Sequence, residues 1–148
     1  ARIAPMTVDR FEAPVDGGVL AGTVTGDGPP VLVLHGGPGL SVSVMDGLIA
    51  ELVPAYRVAS FQQRGIEPSV LDGAFTIDEA LAEVAAVLDH LGWDRAYVLG
   101  FSWGGHLAFW VAARLPHRLL RATAMAAACS HRRWRDVWPR TPASTCRW

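Results

Sequence analysis

Short, uniformly apolar stretches alternate with helical stripes along this chain. Residues 31–34 and 96–99 are apolar runs without polar alternation, which is typical of strands buried on both faces of a parallel sheet. Between them, residues 77–91 carry apolar side chains at every third or fourth position, as an amphipathic helix does. Strands that alternate with helices predict an α/β fold, with a mostly parallel sheet and flanking helices.

Turn signals predict the elements of the first half. Residues 6–13 and 19–25 are expected to pair as a hairpin, because Asp-Gly-Gly at 16–18 favours a tight turn between strands. A helix is expected over residues 43–53, followed by a strand over 56–61. The hairpin and the first apolar strand would then precede the helical stripe.

Cap signals predict the elements of the second half. Thr76 is expected to cap the amphipathic helix, with Glu79 completing a capping box and Gly92 ending the helix. A further helix is predicted over 103–115, before a proline, and a last strand over 119–128. Residues 1–128 are therefore interpreted as one domain.

The composition changes sharply after residue 128. Residues 129–148 contain both cysteines, three of the six tryptophans, five arginines and no Leu, Ile or Gly. We interpret this segment, called the tail below, as either frameshifted or disordered. The alternative is a basic-aromatic tail that contacts anionic lipid or nucleic acid.

Bulk properties exclude several classes of protein. With 51% hydrophobic and 18% charged residues in 148, the chain is expected to be globular. A net charge of -1 gives no electrostatic attraction to nucleic acid or to anionic membranes. Cys129 and Cys146 have no metal-ligand spacing, and neither an apolar span nor a signal peptide is recognised. We expect no cofactor, metal, nucleic-acid or membrane partner, and a cytoplasmic location.

Ser102 is the first candidate for chemistry. It lies in the pattern Gly100-x-Ser102-x-Gly104, directly after an apolar strand and directly before a helix. This is the nucleophile-elbow pattern in the context that it requires. We predict that Ser102 is a catalytic nucleophile, and the alternative is a solvent-facing serine in a glycine-rich turn.

A second glycine-rich motif follows the other apolar strand. It begins with His35, Gly36 and Gly37 and continues as Pro-Gly. Acyl transfer needs backbone N–H groups aimed at the developing oxyanion. The residue after the nucleophile, Trp103, is expected to supply one donor and Gly37 the other, with Gly36 as the alternative. His35 is expected to brace this loop rather than to titrate in catalysis.

Together, residues 35–39 and 100–105 resemble the motifs of proline iminopeptidases and their α/β-hydrolase relatives. The resemblance covers about residues 7–128. A third stretch, Gln-Gln-Arg-Gly at 62–65 with Ser69, is similar to the family pattern D-Q-R-G-x-G-x-S, but Gln62 replaces the acidic residue and Glu67 replaces the second glycine. These departures favour the broader hydrolase family over a narrow aminopeptidase assignment.

The resemblance implies an α/β-hydrolase fold and a serine hydrolase that cleaves esters, amides or N-terminal peptide bonds through an acyl-enzyme. The expected partner is a small-molecule or peptide substrate. In this family the triad runs Ser, then Asp or Glu, then His. After Ser102 the only acidic residue is Asp136, and no histidine follows it. The resemblance therefore implies a fold truncated before its last strands and its cap, and a fragment that is inactive alone.

Other readings remain open. The chain could be a non-catalytic remnant, or half of a complemented assembly, and the edge of an unfinished sheet could drive self-association. A haloperoxidase-like or carbon–carbon bond hydrolase activity also resembles a serine elbow. Epoxide hydrolases and dehalogenases are disfavoured, because those relatives carry Asp at the position of Ser102.

Overall fold

One mixed sheet organises the part of the chain that the structure describes, residues 7–70 and 72–127 of a computed structural model. Its six strands are β1 (Val8–Val15), β2 (Gly18–Thr25), β3 (Pro30–Leu34), β4 (Arg57–Phe61), β5 (Ala96–Phe101) and β6 (Leu119–Met125). The helices are α1 (Asp46–Leu52), α2 (Ile77–His90) and α3 (Trp103–Arg114), with short 3₁₀ turns at Val42–Met45 and Pro116–Arg118. The strand order is β1-β2-β4-β3-β5-β6.

Four neighbouring strands, β4, β3, β5 and β6, run parallel, and the β1–β2 hairpin joins them antiparallel through β4. The register aligns Leu34 of β3 with Gly100 of β5. The residues that follow these two strands therefore start side by side at the same edge of the sheet. The α/β prediction is confirmed, and the two glycine-rich motifs are brought together by the sheet itself.

Apolar side chains cover both faces of the central strands. Leu32 and Leu34 of β3 belong to the larger core cluster, which α2 and α3 cover. Val31 and Val33 point the other way, into a smaller cluster that α1 covers. Burying each of these side chains stabilises the fold by roughly 1.5–3 kcal/mol. The uniformly apolar runs thus correspond to strands buried on both faces.

Local signals located the elements well, with differences at their ends. The hairpin strands lie at Val8–Val15 and Gly18–Thr25, so the first strand is shifted by two residues from its predicted range. The helix predicted over 43–53 is divided into the 3₁₀ turn and α1. The last strand ends at Met125, earlier than predicted. The predicted tail, 129–148, lies outside the described residues.

The expected capping box forms only in part. The Thr76 hydroxyl accepts a hydrogen bond from the Glu79 N–H at 3.1 Å, as predicted. The Glu79 carboxylate, however, accepts from the Nη2 of Arg64 at 3.0 Å. A tertiary ion pair has therefore replaced the return hydrogen bond that the local sequence pattern predicts, because a guanidinium attracts a carboxylate more strongly than a backbone N–H does.

Candidate active site

Ser102 is the single residue between β5 and α3, and its backbone is held in a rare conformation. Its φ of 54° and ψ of −115° lie outside the regions that residues with a Cβ normally adopt. The Ser102 N–H donates to the carbonyl of Met125 in β6 at 2.8 Å, and its carbonyl accepts from the His106 N–H at 3.0 Å. Such strain persists only where the surrounding structure fixes it, which is common at functional sites.

Glycines make this abrupt turn sterically feasible. A Cβ on Gly100 would overlap with the carbonyl of Gly104 and would stand 2.6 Å from the nitrogen of Gly105. A Cβ on Gly104 would overlap with the carbonyl oxygen of Leu34 and would stand 2.7 Å from that of His35. The first turn of α3 is therefore packed backbone to backbone against the end of β3.

The loop after β3 lies directly beside Ser102. A Cβ added to Gly36 would be 3.4 Å from the Ser102 Cβ and 3.4 Å from the Phe101 carbonyl oxygen. Gly37 follows with a φ of 124°, which favours glycine, and a cis peptide bond links it to Pro38. The structure thus brings Gly36 against the elbow, with Gly37 next in the same loop. The choice of oxyanion donors stays a prediction.

His35 is fully buried, with 1% of its surface exposed, and both ring nitrogens are bonded. Its Nδ1 donates to the Gly36 carbonyl at 2.6 Å. Its Nε2 accepts from the Gln63 N–H at 3.0 Å and faces the Gln62 Nε2 at 3.2 Å. Burial lowers the pKa of His35, while its hydrogen bond to Gly36 opposes this shift. The geometry fits a neutral ring that supports the loop.

The two glutamines after β4 contact residues of the candidate site, although the sequence pattern alone did not identify them as functional. Gln63 accepts from the Trp103 indole Nε1 at 2.9 Å and donates from its own Nε2 to the His35 carbonyl at 2.9 Å. Gln62 accepts from the Val42 N–H at 2.9 Å through its Oε1. A usable signal was their position directly after a strand, where side chains in parallel sheets collect around a site.

A buried ion cluster fixes the loop that carries these glutamines. The Nε of Arg64 lies 2.6 Å from Glu83, its Nη2 lies 3.0 Å from Glu79, and its Nη1 donates to the Asp72 carbonyl. Burial raises the pKa of the Glu83 carboxyl, and the hydrogen bond and charge of Arg64 oppose this rise. The cluster ties the loop after β4 to α2.

In the described part of the chain, few titratable residues follow Ser102 in the sequence. Between Ser102 and Ala127 the sequence contains no Asp or Glu. His106, one turn into α3, accepts from the Trp110 indole at 3.3 Å and packs 5.9 Å from the Trp103 ring.

Within residues 7–70 and 72–127, no group of His, Cys, Asp and Glu side chains is arranged to hold a metal ion. None of the helices in that part of the chain has the length and apolar character of a membrane span.

Known proteins match parts of this chain in sequence. The profile of the α/β-hydrolase fold family matches residues 29–145. A proline iminopeptidase of Clostridioides difficile is 34% identical over 86 residues, which are 56% of this chain and 29% of that protein. An epoxide hydrolase B of Mycobacterium tuberculosis is 35% identical over 94 residues, 62% of this chain and 26% of that protein. The chain thus spans less than a third of the length of these relatives.

Solved structures share the same architecture. A carboxylesterase of Bacillus subtilis superposes with a TM-score of 0.75 over 88% of this chain and 49% of its own, at 24% identity, which supports the fold alone. An enol-lactonase of Burkholderia xenovorans superposes with a TM-score of 0.71 over 76% of this chain and 45% of its own, at 26% identity. With the family profile matching most of its length, this chain belongs to the α/β-hydrolase fold family.

Proposed function

We propose that this chain carries the nucleophile and the oxyanion hole of a serine hydrolase. One observation carries the proposal: Ser102 occupies a strained strand-to-helix turn, and a Cβ added to Gly36 of the preceding loop would be 3.4 Å from the Ser102 Cβ. A hydroxyl held at such a turn is exposed above the sheet edge, where backbone N–H groups can receive negative charge. The proposed reaction is acyl transfer to Ser102, followed by hydrolysis.

The chemistry follows from these groups. The Ser102 Oγ adds to the carbonyl carbon of an ester or amide, and its proton passes to a general base. The carbonyl oxygen becomes an oxyanion, which we propose accepts from the N–H groups of Trp103 and Gly37, with Gly36 as the alternative second donor. Collapse expels the alcohol or amine, which takes the proton back from the base. Water then releases the acid from the acyl-enzyme.

We further propose that the triad's acid and histidine lie outside this sequence, and that the chain alone is a weak catalyst. The family order requires an acid and then a histidine after Ser102, and no histidine follows Asp136. Without a base a serine is a poor nucleophile at neutral pH. An oxyanion hole and binding alone can still accelerate a reaction about 10³-fold.

The proposed substrates are small esters, amides or N-terminal peptide bonds. Similarity to a proline iminopeptidase supports the last of these. Similarity to epoxide hydrolases points to a different chemistry, but position 102 holds a hydroxyl where an alkyl-enzyme route would use a carboxylate. This favours acyl transfer over epoxide opening.

Labelling with a fluorophosphonate probe tests the proposal. The intact mass and peptide map of the full chain are followed over time beside Ser102→Ala and Ser43→Ala, with circular dichroism to check folding. Ser43 is an exposed serine in the 3₁₀ turn and serves as the control. We expect slow labelling of Ser102, at a rate about 10³-fold higher than that of Ser43.

Two outcomes of this experiment would contradict the proposal. Equal labelling of Ser102 and Ser43 would mean that the elbow gives no activation, and the nucleophile assignment would fall. Rapid stoichiometric labelling of Ser102 would mean that a base lies within the chain, and the proposal of an external base would fall.

One observation supports a second proposal, self-association of this chain. Within the described residues, β6 pairs with β5 on one side only, and Leu120 on this strand is 43% exposed. A free strand edge invites pairing with another chain. We propose self-association through this edge, and expect sedimentation velocity to detect dimers that Thr123→Lys, a charge placed on β6, reduces. A monomer at all concentrations would exclude it.

A further inference from the structure

We propose that Gln63 is a positioning residue for the oxyanion hole; this inference rests on the proposed function. The two expected donors belong to different elements, because Trp103 begins α3 while Gly37 lies in the loop after β3. Both N–H groups must point at one oxygen atom for the transition state to be stabilised. A contact between the first turn of α3 and the loop after β3 must therefore fix their relative position.

The side chain of Gln63 connects these two elements directly. Its Oε1 accepts from the Trp103 indole Nε1 at 2.9 Å, and its Nε2 donates to the His35 carbonyl at 2.9 Å. An indole N–H can only donate and a carbonyl oxygen can only accept, so the orientation of the amide is chemically fixed. One primary amide thus uses both of its ends to join the elbow to the loop.

The Gln63 backbone adds a third contact with the same loop. Its N–H donates to the His35 Nε2 at 3.0 Å, which keeps that ring nitrogen unprotonated. His35 in turn donates from Nδ1 to the Gly36 carbonyl at 2.6 Å. The hydrogen-bond path from the indole of Trp103 therefore reaches the peptide group between Gly36 and Gly37.

Gln63 is itself held firmly by its neighbours. The N–H of Gln62 donates to the Ala21 carbonyl at 2.8 Å, and the carbonyl of Gln62 accepts from the Ser69 hydroxyl at 2.5 Å. On the other side, Arg64 is fixed by its ion pair with Glu83 at 2.6 Å. A side chain that bridges two elements can set their spacing only if its own backbone is held in place, and the contacts of Gln62 and Arg64 hold this backbone on both sides.

Loss of the bridge is expected to affect the reaction step rather than probe binding. Backbone packing at Gly104 would still hold α3 near β3, so the fold should persist without the amide. A misplacement of about 1 Å in a catalytic group can cost on the order of 10²-fold in rate. We expect Gln63→Met to lower the maximal rate of Ser102 phosphonylation roughly 10-fold, which is less than this figure. The probe concentration that gives half of the maximal rate should stay unchanged.

The experiment compares Gln63→Met, Trp103→Phe and the double variant in the full chain. Trp103→Phe removes the indole donor but keeps the backbone N–H, so the double variant should label no more slowly than either single variant. Trp110→Phe is the matched control, because its indole also donates a hydrogen bond on α3, to His106 at 3.3 Å, without touching Gln63. Its labelling rate should equal that of the unsubstituted chain. Equal rates in Gln63→Met and the unsubstituted chain, or additive losses, would overturn the proposal.

Amide hydrogen exchange gives a readout that does not depend on reactivity. Gln63→Met should speed exchange of the amides of Gly36, Gly37 and Trp103 and leave the β1–β2 hairpin unchanged. If Ser102 shows no labelling at all and this exchange pattern appears, the proposed function fails while the positioning role stands. If exchange at these amides does not change, the positioning role is wrong whatever the labelling shows.

Discussion

Gly104 packs against Leu34 so closely that a single methyl group on Gly104 would overlap with the Leu34 carbonyl oxygen. This contact brings the first turn of α3 onto the end of β3, and it thereby places the elbow beside the loop that starts at His35. The glycine of the motif is needed for packing between two backbones, independently of any role in chemistry. The Gly-x-Ser-x-Gly motif and the alignment of β3 with β5 therefore both bring the elbow beside the loop after β3.

Gly104→Ala is expected to destabilise the protein. The added methyl meets backbone atoms, which cannot move aside as the end of a flexible side chain can, and overpacking of this kind costs typically 1–3 kcal/mol. Gly47→Ala is the control, since Gly47 lies in α1 with nothing within 4 Å of an added Cβ. That change should stabilise the helix by about 0.5–1 kcal/mol. Urea denaturation of both variants measures the difference, and a Gly104→Ala protein as stable as the parent would contradict the contact.

Ser102→Gly is expected to be more stable than Ser102→Ala by about 1 kcal/mol. Both changes remove the hydroxyl, but only glycine adopts a φ of 54° with a ψ of −115° without strain. A strained backbone of this kind costs of order 1–3 kcal/mol, which exceeds the roughly 0.4–1 kcal/mol that glycine loses through the unfolded chain.

Ala112→Gly provides the control for that comparison. Ala112 is exposed within α3, where the normal helical backbone makes glycine unfavourable by about 1 kcal/mol. Thermal and urea denaturation should thus show opposite signs for glycine at positions 102 and 112. The same sign at both would mean that the elbow is not strained.

Arg64→Met is expected to cost about 3–5 kcal/mol, because it leaves the Glu83 carboxylate buried without its partner. Burial already raises the pKa of Glu83, and the loss of Arg64 removes the interactions that oppose this rise. A carboxyl group whose pKa is raised on folding stabilises the folded protein at low pH. This stabilisation is lost as the pH rises through the raised pKa. The deficit of the variant should therefore be larger at pH 7.5 than at pH 5.

Arg114→Met is the matched control for the ion cluster. Arg114 pairs with Asp78, but their side chains are 49% and 80% exposed. Exposed pairs contribute only about 0–1 kcal/mol, so this variant should be close to the parent in stability. Urea denaturation at both pH values decides the matter, and equal losses for Arg64→Met and Arg114→Met would contradict a structural role of the buried cluster.

Local patterns predicted the elements, because each depends on neighbours in sequence. The apolar runs that became β3 and β5 are uniform, and residues 16–17 give the tight turn of the hairpin. The position of Ser102 at a strand-to-helix junction followed from the same local reading. The physical cause of each of these elements lies within a few residues of it in the sequence.

The bridge through Gln63 could not be predicted in the same way. It exists because β4 enters the sheet between β2 and β3, which brings residues after β4 beside the loop after β3. Glu79 gives a second example, since its local pattern predicts a capping box but Arg64 takes its carboxylate. Both features depend on contacts between residues that are distant in sequence.

Stability should fall between pH 7.5 and pH 5 partly because of His35. Burial lowers the pKa of His35 in the folded protein. As the pH falls, the His35 ring therefore binds its proton earlier in the unfolded chain than in the folded chain. The contribution of the neutral ring is therefore complete above about 6.5, the ordinary histidine pKa, and is lost as the pH falls from there towards the lowered value. One such group gives a slope of at most about 1.4 kcal/mol per pH unit.

His35→Gln tests this origin of the pH dependence. Glutamine keeps a hydrogen-bond acceptor but cannot be protonated. We expect the variant to be less stable than the parent at pH 7.5. Its stability should then fall less steeply than that of the parent towards pH 5. His117→Gln, at an exposed position in the 3₁₀ turn after α3, is the matched histidine-to-glutamine variant. Urea midpoints across the range measure each slope. If His35→Gln and the parent lose stability in parallel, the donors around Nε2 do not hold His35 neutral, and the brace described for the loop beside Ser102 would need another physical basis.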